Sequence, residues 1–313
     1  MQLDLMIEGQ EGVTWPQWLD LAHACERHGI STLFRSDHYM NLDGLFPERP
    51  ALDALGTSTA LAAVTTKLRL GTMVSPATFR HPSVLAKQAV TADHVSGGRF
   101  ELGLGAGWHE REHGAYGFPY DDLKTRMDRF AEQLEIIHGT WTQSPFSFNG
   151  EHYQLEELRA EPRPIQKPHL PLLMGGNAGP RVAALAARFA DEYNTVMVPP
   201  DVVRERKAAI DAACEKAGRA PIPFSVMTPV IVGTSEADLR SRATASARFR
   251  GMPEDALIDN PPAGWLVGTV EQVAEQLRAL SDVGVSRVLC QHQPHDDLET
   301  VEIIGTVLAP LVG

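Results

Sequence analysis

The chain has 313 residues, 43% of them hydrophobic and 22% charged, with a formal net charge of −12. That acidic balance excludes nucleic acid as the main partner, because neutralising phosphates needs a basic face. No apolar run reaches the roughly 18 residues of a membrane span, so no membrane partner is expected.

Three scattered cysteines, Cys25, Cys214 and Cys290, form no CxxC pair. No disulfide framework is expected, and a reducing cytoplasm fits. The opening MQLDLMIEGQEG has neither a basic region nor a long apolar core, so no signal peptide is expected.

In chain order, apolar strand-like runs alternate with helical patterns. LDLMI (Leu3–Ile7) reads as a strand. A helix follows, with Thr14 as N-cap, Pro16 in its first turn and Gly29 as C-cap. STLFRSDH is strand-like, ALDALGTSTALAAVT helical, and LRLGTMVS a strand. HPSVLAKQAVTADHVSGG is a helix from Pro82 to Gly97. RFELGLGAG is a strand that breaks into glycines, and LKTRMDRFAEQLEIIHGTW an amphipathic helix ending near Gly139.

Residues 143–169 interrupt the rhythm: Asn149-Gly150 sits between alternating aromatic and polar residues, a hairpin signal, and EPRPIQKPHLP is a proline-rich loop. The alternation then resumes. LPLLMGG, EYNTVMV, PFSVMTPVIVG and SRVLCQH read as strands, and DLETVEIIGTVLAPLV as a closing helix. Eight strands, near Leu3, Thr32, Leu68, Phe100, Leu170, Tyr193, Phe224 and Arg287, imply a parallel sheet covered by helices. We expect an α/β fold: a (β/α)8 TIM barrel, one domain over residues 1–313, with an insertion at about 143–169 after the fourth βα unit. The rival is an open doubly wound sheet. In a barrel the active site lies on the loops after the strand C-termini.

Two motifs abut after the fourth strand. His109, Glu110, Arg111, Glu112 and His113 spell HExxH, whose histidines bind zinc when they share one face of a well-formed helix. Gly107 before it and Gly114, Gly117 and Pro119 after it leave only about two turns, so a short polar helix at the barrel mouth is expected and no metal. GLGAGW places Trp108 where a dinucleotide loop needs its third glycine. Gly105, Ala106 and Gly107 read instead as backbone that lets a flat ligand come close.

Asp37 and His38 end the second strand. Histidine suits proton exchange near neutrality, whereas an Asp–His pair can also simply cap a loop. Thr72, Met73 and Val74, before Pro76, read as a bulge or a turn. Gly175, Gly176 and Asn177 precede a helix whose N-terminus suits a phosphate, with Arg181 in its first turn and Asn194 at the next strand end as further donors. Gly268-Thr269 opens a second such helix. The remaining histidines form no ligand cluster in sequence and read as solvated or capping. Loops around 41–50, 108–120, 143–169 and 250–265 are expected to build the substrate pocket, and Phe46, Phe118, Phe146 and Trp265 suggest an apolar small molecule.

Taken together, FRSDHY, TKLRLGTMVSPATFRHP, VSGGRFELGLGAGWHEREHGAYGFPY, FSFNGEHYQL, PRPIQKPHLPLLMGG and FADEYN resemble the bacterial luciferase-like flavin family. More narrowly they resemble its actinobacterial branch of coenzyme F-420-dependent oxidoreductases. The resemblance implies a homodimeric barrel with a non-covalent flavin or deazaflavin at the mouth. It places His38, preceded by Asp37, near the reactive ring carbon, and a non-proline cis peptide at Met73-Val74 behind the ring. It puts Gly105 and Gly107 beside the cofactor and the phosphate at Gly175, Gly176 and Asn177. Some relatives have Glu where Trp108 stands, which argues against sugar-phosphate chemistry here. The function expected is hydride transfer between F-420 (8-hydroxy-5-deazaflavin) and a small organic substrate. The alternative is an FMN-dependent two-component monooxygenase that uses FMNH2 and O2 and needs a flavin reductase.

Overall fold

A computed structural model describes residues 1–313. The chain begins β1 (Gln2–Ile7), α1 (Trp15–His28), β2 (Thr32–Arg35), α2 (Ala54–Val64), β3 (Arg69–Thr72), β4 (Ser75–Pro76), α3 (Pro82–Ser96) and β5 (Phe100–Gly105). It continues α4 (Glu110–Tyr116), α5 (Leu123–Thr142), β6 (Phe146–Asn149), β7 (Gln154–Leu158), β8 (Leu172–Gly175), α6 (Pro180–Phe189), β9 (Glu192–Val196) and α7 (Pro200–Lys216). It ends β10 (Phe224–Gly233), α8 (Glu236–Phe249), α9 (Ala256–Asp259), β11 (Leu266–Thr269), α10 (Val270–Asp282), β12 (Arg287–Gln291), α11 (Leu298–Glu302) and α12 (Ala309–Val312).

Eight parallel strands close in the order β1-β2-β3-β5-β8-β9-β10-β12, with β12 pairing back onto β1 from Gln2↔Arg287 to Met6↔Gln291. The expected closed barrel is what forms, and the open sheet is not. Its local signals act as read. Thr14 and Gln17 form a capping box, and Gly29 takes φ 79° to end α1. Gly97, at φ 67°, ends α3.

Several boundaries differ from expectation. Strand β2 stops at Arg35: Ser36 makes one last backbone bond, to the Ile7 carbonyl of β1 (3.1 Å), and Asp37 and His38 then engage side chains at the mouth. The third strand is split into β3 and β4 by a cis peptide between Met73 and Val74. Residues 266–269, read only as the approach to a helix, form β11, which pairs with the far half of the ten-residue β10. The C-terminal helix is interrupted by a π-helical segment at Ile303–Leu308. Hairpin β6–β7 forms its own antiparallel sheet. Gly150 lies against Glu132 of α5 and Lys87 of α3 bonds the Glu161 carbonyl, so the insertion packs outside the barrel.

Apolar surface is buried in two layers. The larger lies between strands and helices and includes Trp18, Leu85, Phe130 and Val288. The smaller fills the barrel itself with Met6, Phe34, Met73, Leu173, Met227 and Leu289, topped by Val74 and Met197. Below it, at the strand N-termini, Arg287 bonds Asp4 (2.5 Å), Glu101 (2.9 Å), Glu192 (3.0 Å) and the Thr32 hydroxyl (2.9 Å). Arg69 adds a second cation on Glu101 at 2.5 Å. Burial pushes the Asp4 and Glu192 carboxyls up, whereas Glu101, despite its burial, is held below the ordinary range by Arg287 and Arg69. This ionic plug seals the bottom, so the open end is the mouth at the strand C-termini. No helix is long and apolar enough to cross a membrane.

Candidate active site

His38 stands at the mouth, just past β2. Its Nδ1 is 2.6 Å from Glu112 Oε2, and the other Glu112 oxygen accepts the Tyr39 backbone N–H at 2.6 Å. Glu112 is fully buried, so this carboxylate has no competing solvent. Burial alone would disfavour charge on the imidazole, but the Glu112 carboxylate more than offsets it and raises His38 above its ordinary 6.5. The pairing occupies Nδ1 and leaves Nε2 without a protein partner. Trp108 meets His38 edge-on, with ring centroids 6.0 Å apart, and is itself 62% exposed on the rim.

The HExxH stretch therefore has a different use. Its helix α4 has seven residues, and His109 lies before it as the N-cap. His109 Nε2 faces the Leu42 carbonyl at 3.0 Å. Buried His113 spans the Thr78 hydroxyl (2.6 Å) and the His109 carbonyl (2.7 Å). The fourth letter of the motif, Glu112, is the one that reaches His38, and the reading from sequence missed it.

Asp37 does not pair with its neighbour. Both its oxygens take the guanidinium of Arg80, at 2.6 and 3.1 Å, and Arg80 also bonds Tyr39 Oη (2.7 Å) and Asp53 (2.8 Å). Asp37 is fully buried in this hub. It braces the loop that carries His38: the carboxylate that hydrogen-bonds the imidazole is Glu112, and Asp37, read with His38 as a catalytic pair, acts on it only through space.

The cofactor residues expected from sequence divide. Thr72 is a strand clip, donating to the Gly103 carbonyl at 3.0 Å and accepting the Gly103 N–H at 3.2 Å. At Gly105 an added Cβ would lie 2.7 Å from Val74 Cγ2, and at Gly103 it would lie 3.0 Å from Val74 Cγ1 and 2.0 Å from the Thr72 carbonyl oxygen. Gly107 takes φ +81° beside Thr78. These glycines thus clear space for the protein's own Val74 and Thr78, and Ala106 packs on the outer core. Val74 turns inward above Met73, Met197 and Met227, giving the mouth an apolar floor.

On the far wall, Gly175 is open toward the same floor, with Val74 Cγ1 only at ordinary contact distance, 3.4 Å. Asn177 is exposed in the turn before α6. Arg181 is not free for an anion, because it pairs with Asp128 of α5. Nor is Asn194: its side chain is buried in the barrel and donates to Ser225 Oγ at 2.8 Å, leaving its Oδ1 without a partner. In the turn before α6 the Gly176 N–H bonds the Asn194 carbonyl (3.1 Å) and the Ala178 N–H the Tyr193 hydroxyl (2.8 Å), while Gly179 at the helix start has no side-chain cap. The apolar floor, the open side of Gly175 and this uncapped α6 N-terminus fit a flat ring with an anionic tail.

The pocket loops also divide. A cavity of about 320 Å3 beside β1 and β12 is lined from 41–50 and 250–265, including Leu42, Arg49, Arg250 and Trp265. Phe118 packs instead in a rim cluster with Tyr39, Phe79 and Tyr116. Phe146 is buried under Gly139, away from the mouth. His292 and His295 are buried, not solvated, and burial lowers His295 to about 3.

A family profile described as luciferase-like monooxygenase matches residues 4–287. The FMNH2-dependent dimethylsulfone monooxygenase of Pseudomonas putida is 29% identical over 289 residues, 83% of this chain and 78% of that protein. The F420-dependent glucose-6-phosphate dehydrogenase of Nakamurella multipartita is 28% identical over 316 residues, 93% and 91% of the two chains. The fold is shared with monooxygenase RslO1 from Streptomyces bottropensis, at a TM-score of 0.86, 21% identity and full coverage of both chains.

Proposed function

The chain belongs to the luciferase-like monooxygenase family, an enzyme family with flavin- and deazaflavin-dependent members, and we propose that it is a coenzyme F-420-dependent oxidoreductase acting on a small organic substrate. The observation that carries this reading is the His38–Glu112 pair, with Nε2 unpartnered at the mouth and its proton held more tightly than in free histidine.

When bound, the deazaflavin supplies hydride-transfer chemistry, which must be balanced by a proton at the substrate heteroatom. His38 Nε2 is the group that gives this proton in the reductive direction and takes it in the oxidative direction. Glu112 fixes the tautomer and stabilises the imidazolium, as a carboxylate behind a histidine does in other acid–base sites. The Met73–Val74 bulge would back the ring, and Gly175, Gly176 and Asn177 would receive the phosphate. Trp108 on the rim would exclude water from the Nε2 side. The same reading takes the assembly as a homodimer.

A second reading, an FMN-dependent two-component monooxygenase fed by a flavin reductase, is supported by the dimethylsulfone monooxygenase relative. Titration of the purified protein with F-420 and with FMN, followed by cofactor fluorescence, separates them. Tight F-420 binding with weak FMN binding is expected. Retained FMN together with reductase-dependent oxygen uptake would overturn the deazaflavin reading in favour of the second.

A further inference from the structure

Across the barrel from the Gly175–Asn177 turn, the cavity beside β1 and β12 contains one cation that makes only a single long hydrogen bond. Glu8 and Glu11 act on this cation through space, but neither hydrogen-bonds it, because their oxygens are held by other groups. Glu8 accepts from the amides of Gln10 (2.7 Å) and Gln291 (2.6 Å). Glu11 is held by Arg49 at 2.5 Å and by Asn41 at 2.9 Å, and Asp43 accepts the Leu45 N–H at 2.7 Å. Arg49 also donates to the Phe249 carbonyl at 2.6 Å and lies between the Phe46 and Phe249 rings.

Arg250 is different. Its Nε is buried without a partner, and its one hydrogen bond, Nη2 to Gln291 Oε1, is long at 3.4 Å. The guanidinium sits over the Trp265 ring, 4.5 Å from the centroid. A guanidinium carries five donors in a rigid fork that matches the two oxygens of a carboxylate or phosphate. A half-buried fork with a single long bond is costly unless a ligand completes it.

We infer that Arg250 binds the anionic group of the substrate, and that this substrate is a small organic acid or phosphate ester with a short apolar body. Leu42, Met252 and Trp265 supply the apolar wall. The inference rests on the enzymatic reading above and names the substrate class for it. Topology assigns the anion to the substrate and not to the cofactor. In the closed order, β8, which carries the phosphate turn, is four strands from β1 and three from β12. His38 follows β2, next to β1, so a substrate anchored at Arg250 extends its reactive end toward Nε2.

The test uses the full chain with benzoate, phenyl phosphate and uncharged benzamide as probes, measured by calorimetry on the wild type, Arg250→Gln and Arg250→Lys, with F-420 and FMN titrated in parallel. Wild type should bind benzoate or phenyl phosphate at least about tenfold more tightly than benzamide, the scale of one charge-assisted pair. Whichever anion binds better identifies the oxyanion. Arg250→Gln should abolish the preference, Arg250→Lys should keep part of it, and cofactor affinity should not change. No preference for anion over amide in the wild type would overturn the inference, and that comparison needs no variant to fold. Loss of F-420 affinity in Arg250→Gln with the aryl anions unaffected would also overturn it, giving the site to the cofactor's tail. A wild type that binds neither cofactor refutes the enzymatic reading, while the anion comparison is read independently.

Discussion

His38 is defined by a residue 74 positions away. Without the Glu112 charge, burial is left as the main influence on the ring, and burial lowers an imidazole. In Glu112→Gln, the His38 ring protons followed by NMR should therefore titrate at or below the ordinary 6.5, whereas in the wild type they titrate above it. In the proposed reductive direction the protonated ring is the donor, so the rate should fall as pH rises through this value, and the variant's alkaline limb should move to lower pH. Stability carries the same sign. A raised folded value means the pair's contribution is complete below about pH 6.5 and is lost as pH rises through the folded value. An unchanged titration in the variant would remove Glu112 from its positioning role. Asp37 shows the opposite lesson: adjacency in sequence put it beside His38, yet its carboxylate faces Arg80.

Among the elements, the closing segment shows how a helical pattern yields to tertiary contact. The apolar periodicity of residues 297–312 is helical, but the backbone widens into a π turn at Ile303–Leu308. Gly305 lies there, and a Cβ on it would stand 2.2 Å from the His28 carbonyl oxygen at the end of α1. Gly305→Ala should therefore cost about 1–3 kcal/mol in urea unfolding, the scale of overpacking, while cofactor binding persists. A neutral substitution would mean the two elements separate easily. The β3–β4 break is a similar case. A strand pattern and a following proline signal an irregular end, but only the packed neighbours show Val74 turned into the mouth between Gly103 and Gly105.

For the whole molecule, polarity runs along the barrel axis. The bottom is closed by one cation shared among three carboxylates from three strands, and the top is left open. Replacing the cation should hurt more than losing an exposed pair, because three buried carboxylates would lose their common partner. Arg287→Met should lower unfolding free energy by about 3–5 kcal/mol, measured by denaturant midpoint. A loss below about 1 kcal/mol would show that the plug is dispensable.

The alternation of apolar strands with amphipathic helices is a local property of the chain, and it was enough to determine the barrel and most strand positions. Caps such as Thr14 and Gly97 could be read for the same reason, since each acts within a few residues. The segments shared with a known family located His38 and the Met73–Val74 cis peptide as well. Which charges meet was settled only by folding. Glu112 behind His38, Arg80 on Asp37 and Asp128 on Arg181 join residues from different elements, as does the one long bond from Arg250 to Gln291. Sequence spacing carries no information about such pairs, because a carboxylate and a cation at strand ends can face each other, or fail to, depending on where the closed sheet places them.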